Sequence, residues 1–111
     1  MLFRSIGPFL VSSIIQGRDP ATRAFPEGIE AQCTQMFANI RAILAAAGGT
    51  PENIIKLSVW VGNRDDRKYM NRHWLEMFPD PHSRPARHTQ ADPDLTPPVL
   101  IQCEIMAVLE Q

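Results

Sequence analysis

Two stretches of the chain carry apolar residues at spacings of three and four, which is the pattern of an amphipathic helix. The first covers residues 29–47 and is followed by the pair Gly48-Gly49, a common way for a helix to end. The second follows Asn63 and Asp65, residue types that often begin helices, and its apolar stripe reaches Phe78. The pattern predicts two helices, each with one face directed at a core.

Three shorter apolar segments predict strands. Residues 2–15 are rich in Phe, Leu, Val and Ile, and their length suits a strand or a hairpin. Residues 55–61 alternate between apolar and polar side chains with the period of two that a strand requires. Residues 99–108 predict a closing strand with apolar side chains on both faces.

The segments between these elements predict loops. Residues 16–28 combine proline, glycine and charge, and residues 79–98 contain six prolines. Within the second loop, residues 84–91 can form a short polar strand, since proline is tolerated at its first positions. The order β-β-α-β-α-β-β predicts one α+β domain over residues 1–111, with both helices on one face of a single sheet.

The opposite face of such a sheet carries Trp60, Met106 and Val108, together with half of the first strand. A monomer would expose these residues as a large apolar patch, and symmetric self-association is the usual way to cover one. The pattern therefore predicts an oligomer. The alternative is that the second face is shorter or more polar than the alternation suggests.

Composition narrows the classes of function. The formal net charge of -1 gives no overall positive field to attract nucleic acid, and no apolar run approaches the roughly 18 residues of a membrane span. The apolar start resembles a signal peptide only faintly, because it lacks a small-residue cleavage site. We expect a single-domain protein in the cytoplasm.

Cysteine and histidine usage points to no metal and no cofactor. Cys33 and Cys103 lie in separate apolar segments, which predicts buried free thiols in a reducing compartment. The three histidines lack ligand spacing, and His73 falls on the apolar stripe of the second helix, where a core role is expected. His88 is interpreted as a structural residue.

Four stretches together resemble the RidA/YjgF family, also called the endoribonuclease L-PSP family. These are the first helix, its AAG turn and the following strand (31–63), YMNRHWLEMF (69–78), RPARHT (84–89) and VLIQCEIMAV (99–108). The resemblance implies a chorismate-mutase-like fold and a homotrimer with a cleft between each pair of neighbouring subunits. It also implies hydrolysis of enamines and imines, such as 2-aminoacrylate, to 2-keto acids and ammonia.

Two other functions stay open. One is a non-catalytic trimer that binds small carboxylated metabolites in the same clefts. The other is an endoribonuclease, an activity reported for some members of the family, for which the sequence offers no basic groove.

The resemblance assigns the substrate carboxylate to Arg87, whose paired donors suit that group. The alternative is a surface arginine in a salt bridge. Thr89 stands where the family often has cysteine and, two residues along a strand, shares a face with Arg87, so we expect it to line the cleft and bind substrate; the alternative is that it only fills the strand. Ser13 and Asn71 match residues that line the cleft. Outside the family context, Asn71 would be a solvated helix residue.

The catalytic position departs from the family pattern. Gln102 stands where active deaminases usually carry a glutamate that activates water, and a carboxamide cannot accept a proton. Glu104 lies two residues further on the same face and can substitute for it. Ile14 also replaces a usual glycine, which predicts a narrower cleft. Whether the chain is an enzyme therefore stays open, with Arg87, Gln102 and Glu104 as the candidate catalytic residues.

Overall fold

The computed structural model describes residues 2–110, which form one mixed sheet and two helices. Three elements lie where the hydrophobic pattern predicts them, namely both helices and the strand between them. The polar segment before residue 91 also forms a strand. The strands are β1 (Phe3–Ile6), β2 (Phe9–Ser12), β3 (Ile15–Gln16), β4 (Ile54–Val61), β5 (Ala86–Ala91) and β6 (Ile101–Val108), and the helices are α1 (Ile29–Ala46) and α2 (Arg67–Met77).

The strands follow the order β1-β2-β6-β4-β5, and the short β3 pairs with β6 beyond the end of β2. All pairings are antiparallel except that of β4 with β5. Parallel neighbours need a crossover connection, and α2 provides it between β4 and β5. This topology places α2 against the strand that carries Arg87.

Both helices cover the same face of the sheet, which we call the inner face. The alternate residues of β4 and β6 that point to this face are fully or nearly fully buried, and they form one cluster with the apolar stripes of α1 and α2. The α+β architecture with two helices on one face is thus confirmed. The main contributors are Leu57, Val59, Val61, Ile101, Cys103, Ile105, Met36, Ile40, Leu44, Met70 and Trp74.

The opposite, outer face of the sheet has no helix over it. Phe9 pairs with Val108 and Val11 pairs with Met106, so these apolar side chains share that face. Phe9 and Val108 are each 41% exposed, and Val11 is 38% exposed. The predicted apolar second face is therefore present in the single chain, and the trimer that would cover it remains a prediction.

The boundaries differ from the sequence expectation at several places: β5 begins at Ala86 and β6 at Ile101, each two residues later than predicted, and larger differences occur in the second helix and the N-terminal segment. The second helix begins at Arg67, because the Asn63 side chain accepts a hydrogen bond from the Asp65 backbone (3.0 Å) and starts a short 3-10 turn instead. The N-terminal apolar segment is divided into β1, β2 and β3, and Gly7 adopts a positive φ of 56° in the turn between the first two. Neither helix has the length and apolar character to cross a membrane, and no other helix of residues 2–110 does.

Candidate functional site

Arg87 lies on the inner face of the sheet. In the parallel pairing of β4 with β5, Arg87 is aligned with Leu57 and Thr89 is aligned with Val59, both of which are buried under the helices. Paired residues of neighbouring strands project to the same side. The prediction that Arg87 and Thr89 share a face is confirmed, and that face is the one crossed by α2.

Three contacts orient the Arg87 guanidinium. Its Nε donates a hydrogen bond to Thr89 Oγ1 (2.9 Å), and its Nη2 donates to Asn71 Oδ1 on α2. Its Cζ lies 5.2 Å from the centroid of the Trp74 ring, within the range of a cation–π contact. A guanidinium has five N–H donors, so three stay available to a ligand.

No carboxylate neutralises this charge. Among residues 2–110, the one ion pair within 4.0 Å joins His73 to Glu76, so Arg87 forms no salt bridge within the described chain. Burial lowers the pKa of Arg87, and the positive charge of Arg67 adds to the lowering. A guanidinium stays protonated at neutral pH all the same. The geometry thus presents an oriented, uncompensated positive charge, which suits a small anion.

A cavity of about 320 Å³ opens beside Arg87. Asn71 and Arg87 line it, as does a group that the sequence reasoning missed: Arg64, Asp65, Arg67 and Lys68. The sequence signal for this group was its spacing. Arg67 and Lys68 follow Arg64 by three and four residues, and residues at that spacing lie on one side of a helix.

Gln102 and Glu104 lie on the outer face of the sheet. Gln102 is aligned with Trp60 and Glu104 with Ser58, in alternation with the buried residues Cys103 and Ile105. Their predicted common face is confirmed. A single chain does not bring them together with Arg87, because the sheet itself lies between the two groups.

The Gln102 carboxamide already has a partner on the outer face. Its Oε1 accepts a hydrogen bond from Gln16 Nε2 (3.2 Å), and the two residues are aligned in the pairing of β3 with β6. A water molecule bound to this oxygen would therefore share it with Gln16.

Ser13 lies between β2 and β3, and its backbone N–H donates to the Leu2 carbonyl (2.9 Å). In the sheet, β6 and β4 separate β3 from β5, which amounts to three strand spacings, or about 14 Å. The candidates therefore form two groups. Asn71, Arg87 and Thr89 are in direct contact, whereas Ser13 is on the segment that pairs beside Gln102.

The cysteines and histidines considered in the sequence lie in surroundings that favour a structural role. Cys33 and Cys103 are buried free thiols, as predicted, and burial raises the pKa of each, that of Cys33 to about 12. His73 stacks on the Phe37 ring with centroids 5.4 Å apart. His88 is exposed beside Gln90. Within the described chain, no three His, Cys, Asp or Glu side chains are grouped to hold a metal ion.

Comparison with known proteins identifies relatives along almost the whole chain. Residues 5–109 match the family described as Endoribonuclease L-PSP. A RutC family protein of Aquifex aeolicus is 33% identical over 103 residues, which cover 93% of this chain and 82% of the relative. The 2-iminobutanoate/2-iminopropanoate deaminase of Salmonella typhimurium is 31% identical over 104 residues, which cover 93% and 81%.

Solved structures show the same fold. RidA from the Antarctic bacterium Psychrobacter sp. PAMC 21119 superimposes with a TM-score of 0.90 at 28% identity, covering 97% of this chain and 86% of that one. The YjgF gene product of E. coli gives a TM-score of 0.87 at 27% identity, covering 98% and 87%. The order of elements, the sheet and the sequence match agree, and the chain belongs to the RidA/YjgF family, whose family description is Endoribonuclease L-PSP.

Proposed function

We propose that this protein hydrolyses small 2-imino acids, the tautomers of reactive 2-enamines, to 2-keto acids and ammonia at clefts between copies of the chain. The observation that carries the proposal is the state of Arg87. Its guanidinium is oriented by Asn71, Thr89 and Trp74 and has no carboxylate partner among the described residues. A 2-imino acid presents the carboxylate that such a fork binds in a bidentate manner.

The site is placed between copies of the chain in this proposal because the candidate residues occupy both faces of the sheet. Arg87 projects from the inner face and Gln102 from the outer face of the same sheet. A reacting group that touches both must therefore take them from different chains. The exposed apolar outer face, with Phe9, Val11 and Val108, supplies a surface on which a second copy can pack.

The reaction needs few protein groups. With the carboxylate held by Arg87, water adds to the imine carbon and its proton passes to the nitrogen. The hydroxyl proton of this adduct then moves to the nitrogen as the C–N bond breaks, which leaves the 2-keto acid and ammonia. Glu104 is the half-buried carboxylate beside Gln102 on the outer face, so it is the group that can accept the proton from water.

The second candidate function is binding without chemistry, and Gln102 favours it. A carboxamide cannot act as a base, and the oxygen of this one accepts a hydrogen bond from Gln16. The same clefts would then hold 2-keto acids or similar metabolites through Arg87 alone.

A trapping assay separates the two functions. A pyridoxal-phosphate serine dehydratase generates 2-aminoacrylate, and semicarbazide traps whatever imine has not yet been hydrolysed. Native protein is expected to raise the yield of free pyruvate over the uncatalysed level. Arg87→Ala should remove that gain, while the control Arg41→Ala, at an exposed position of α1, should keep it.

Binding measurements complete the test. If pyruvate yield is unchanged but calorimetry shows 2-oxobutyrate binding that Arg87→Ala abolishes, the protein is a binder. If neither activity nor binding depends on Arg87, the proposed function is wrong.

A further inference from the structure

The cavity beside Arg87 holds more positive charge than a single carboxylate requires. Four cationic side chains line it, together with the one carboxylate of Asp65. The whole chain has a formal net charge of -1, so this concentration is a local feature and does not reflect a basic protein. The cations are Arg64, Arg67, Lys68 and Arg87.

These cations have no acidic partner within the described chain. The single ion pair there joins His73 to Glu76, and the Asp65 carboxylate is more than 4.0 Å from each of the four cationic groups. The Arg67 side chain is oriented by its Nε, which donates to the Arg64 carbonyl (3.3 Å). Like charges gathered in one cavity repel one another, and an anion relieves that repulsion.

We propose that this cavity selects ligands with two acidic groups, namely 2-imino and 2-oxo dicarboxylic acids. The carboxylate next to the imine or keto carbon binds Arg87, and the distal carboxylate binds the cluster of Arg64, Arg67 and Lys68. This inference rests on the proposed function, because Arg87 must hold the first carboxylate. A volume of about 320 Å³ is near the lower end of ligand pockets, roughly 300 to 1,000 Å³, and suits a small metabolite.

Two probes of equal carbon skeleton test the distal subsite. The first is 2-oxoglutarate and the second is 2-oxopentanoate, which carries a methyl group in place of the distal carboxylate. Calorimetry at low salt is expected to show 2-oxoglutarate binding more tightly by roughly tenfold, since the three exposed cations Arg64, Arg67 and Lys68 act together. In the variant Arg67→Gln/Lys68→Gln the preference should shrink toward one, with the affinity for 2-oxopentanoate nearly unchanged.

A control removes one positive charge elsewhere on the helix. Arg72 is an exposed cation of α2 that does not line the cavity, so Arg72→Gln should keep the preference for 2-oxoglutarate. Loss of the preference in Arg72→Gln would attribute it to the general field of the protein and would overturn the subsite.

Each remaining outcome is decisive. Equal affinity of the native protein for both probes would overturn the dicarboxylate inference and leave the proposed function intact. If neither probe binds, the inference and the proposed function are both overturned. Tighter binding of 3-phosphoglycerate than of 2-oxoglutarate would make the subsite a phosphate site. Displacement of 2-oxoglutarate by a short single-stranded RNA at equal concentration would assign the cluster to a nucleic-acid backbone. The phosphoglycerate result and the RNA result would each overturn the inference.

Discussion

Arg87 and Gln102 project from opposite faces of the same sheet. Arg87 is aligned with the buried Leu57 on the helix side, and Gln102 is aligned with Trp60 on the side without helices. Successive side chains of a strand alternate in direction, so no rotamer change brings the two together within one chain. Their cooperation in one site depends on a neighbouring copy, and several of the predictions below follow from that dependence.

The first prediction concerns the covering of the outer face. Native protein should elute with a mass near three times the 12.5 kDa chain mass when light scattering follows gel filtration. Met106→Lys places a charge at the centre of the outer face and should shift the mass toward one chain. Leu75→Lys, at a 51% exposed position of α2, is the control and should leave the assembly intact. A native monomer at all concentrations would remove both the trimer and the shared cleft.

The second prediction concerns the grip of Arg87 on a carboxylate. Arg87→Ala should weaken 2-oxobutyrate binding by about 2 to 5 kcal/mol, and Arg87→Lys should recover only part, since an ammonium cannot form the fork. Circular dichroism of both variants should match the native protein. Unchanged affinity in Arg87→Ala would show that the ligand binds elsewhere.

The third prediction concerns the orientation of the same guanidinium. Thr89→Val removes the hydroxyl that accepts from Arg87 Nε, and loss of one such hydrogen bond should weaken 2-oxobutyrate binding by about 0.5 to 1.5 kcal/mol. Thr96→Val, at an exposed loop position, serves as the control and should bind normally. Equal affinity of both variants would mean that Asn71 and Trp74 suffice to orient the arginine.

The fourth prediction concerns Gln102, which stands where active deaminases of the family usually carry a glutamate. Gln102→Glu places a carboxylate at the family position for water activation and should raise the hydrolysis of 2-aminoacrylate, since a positioned base contributes ~10² to 10⁴ in rate. The gain should vanish when Arg87→Ala is added, because water activation requires a held substrate. Loss of the native activity in Glu104→Gln would support Glu104 as the group that accepts the proton from water in the native protein. No activity in any variant would favour the binding function.

The fifth prediction concerns alkaline stability. Burial, followed by the negative charge of Asp66, raises the pKa of the Cys33 thiol from 9.0 to about 12. Between about pH 9 and pH 12 the folded state therefore retains a thiol proton that the unfolded state releases, so the contribution of Cys33 to the free energy of unfolding should be constant below pH 9 and fall as pH rises toward 12. Urea unfolding at pH 8 and pH 10.5 should show a smaller drop in Cys33→Ala than in the native protein. An equal drop in both would show that other groups cause it.

Much of the fold could be predicted from periodicity because each element has one face buried in the core and one face exposed to solvent. The stripe that ends at Phe78 and the alternation through Leu57 and Val59 identified α2 and β4 within a few residues. The start of α2 was predicted too early, since Asn63 caps a 3-10 turn with the same side-chain hydrogen bond that would cap an α-helix. Local signals of this kind identify the cap but not the type of turn that follows.

The linear sequence also determined which site residues share a face within one strand. The period of two is local, so Thr89 had to accompany Arg87 and Glu104 had to accompany Gln102. The likeness to the RidA/YjgF family then gave these residues their expected roles.

Only the tertiary structure decided which face each pair occupies. That choice depends on the alignment of β5 and β6 with β4, which is set by contacts between residues far apart in the chain. A shift of one residue would have moved Arg87 to the side of Gln102. The same packing of α2 against β5 brought the cations that precede Asn71 to the cavity beside Arg87, because a crossover helix must lie over the strands that it connects.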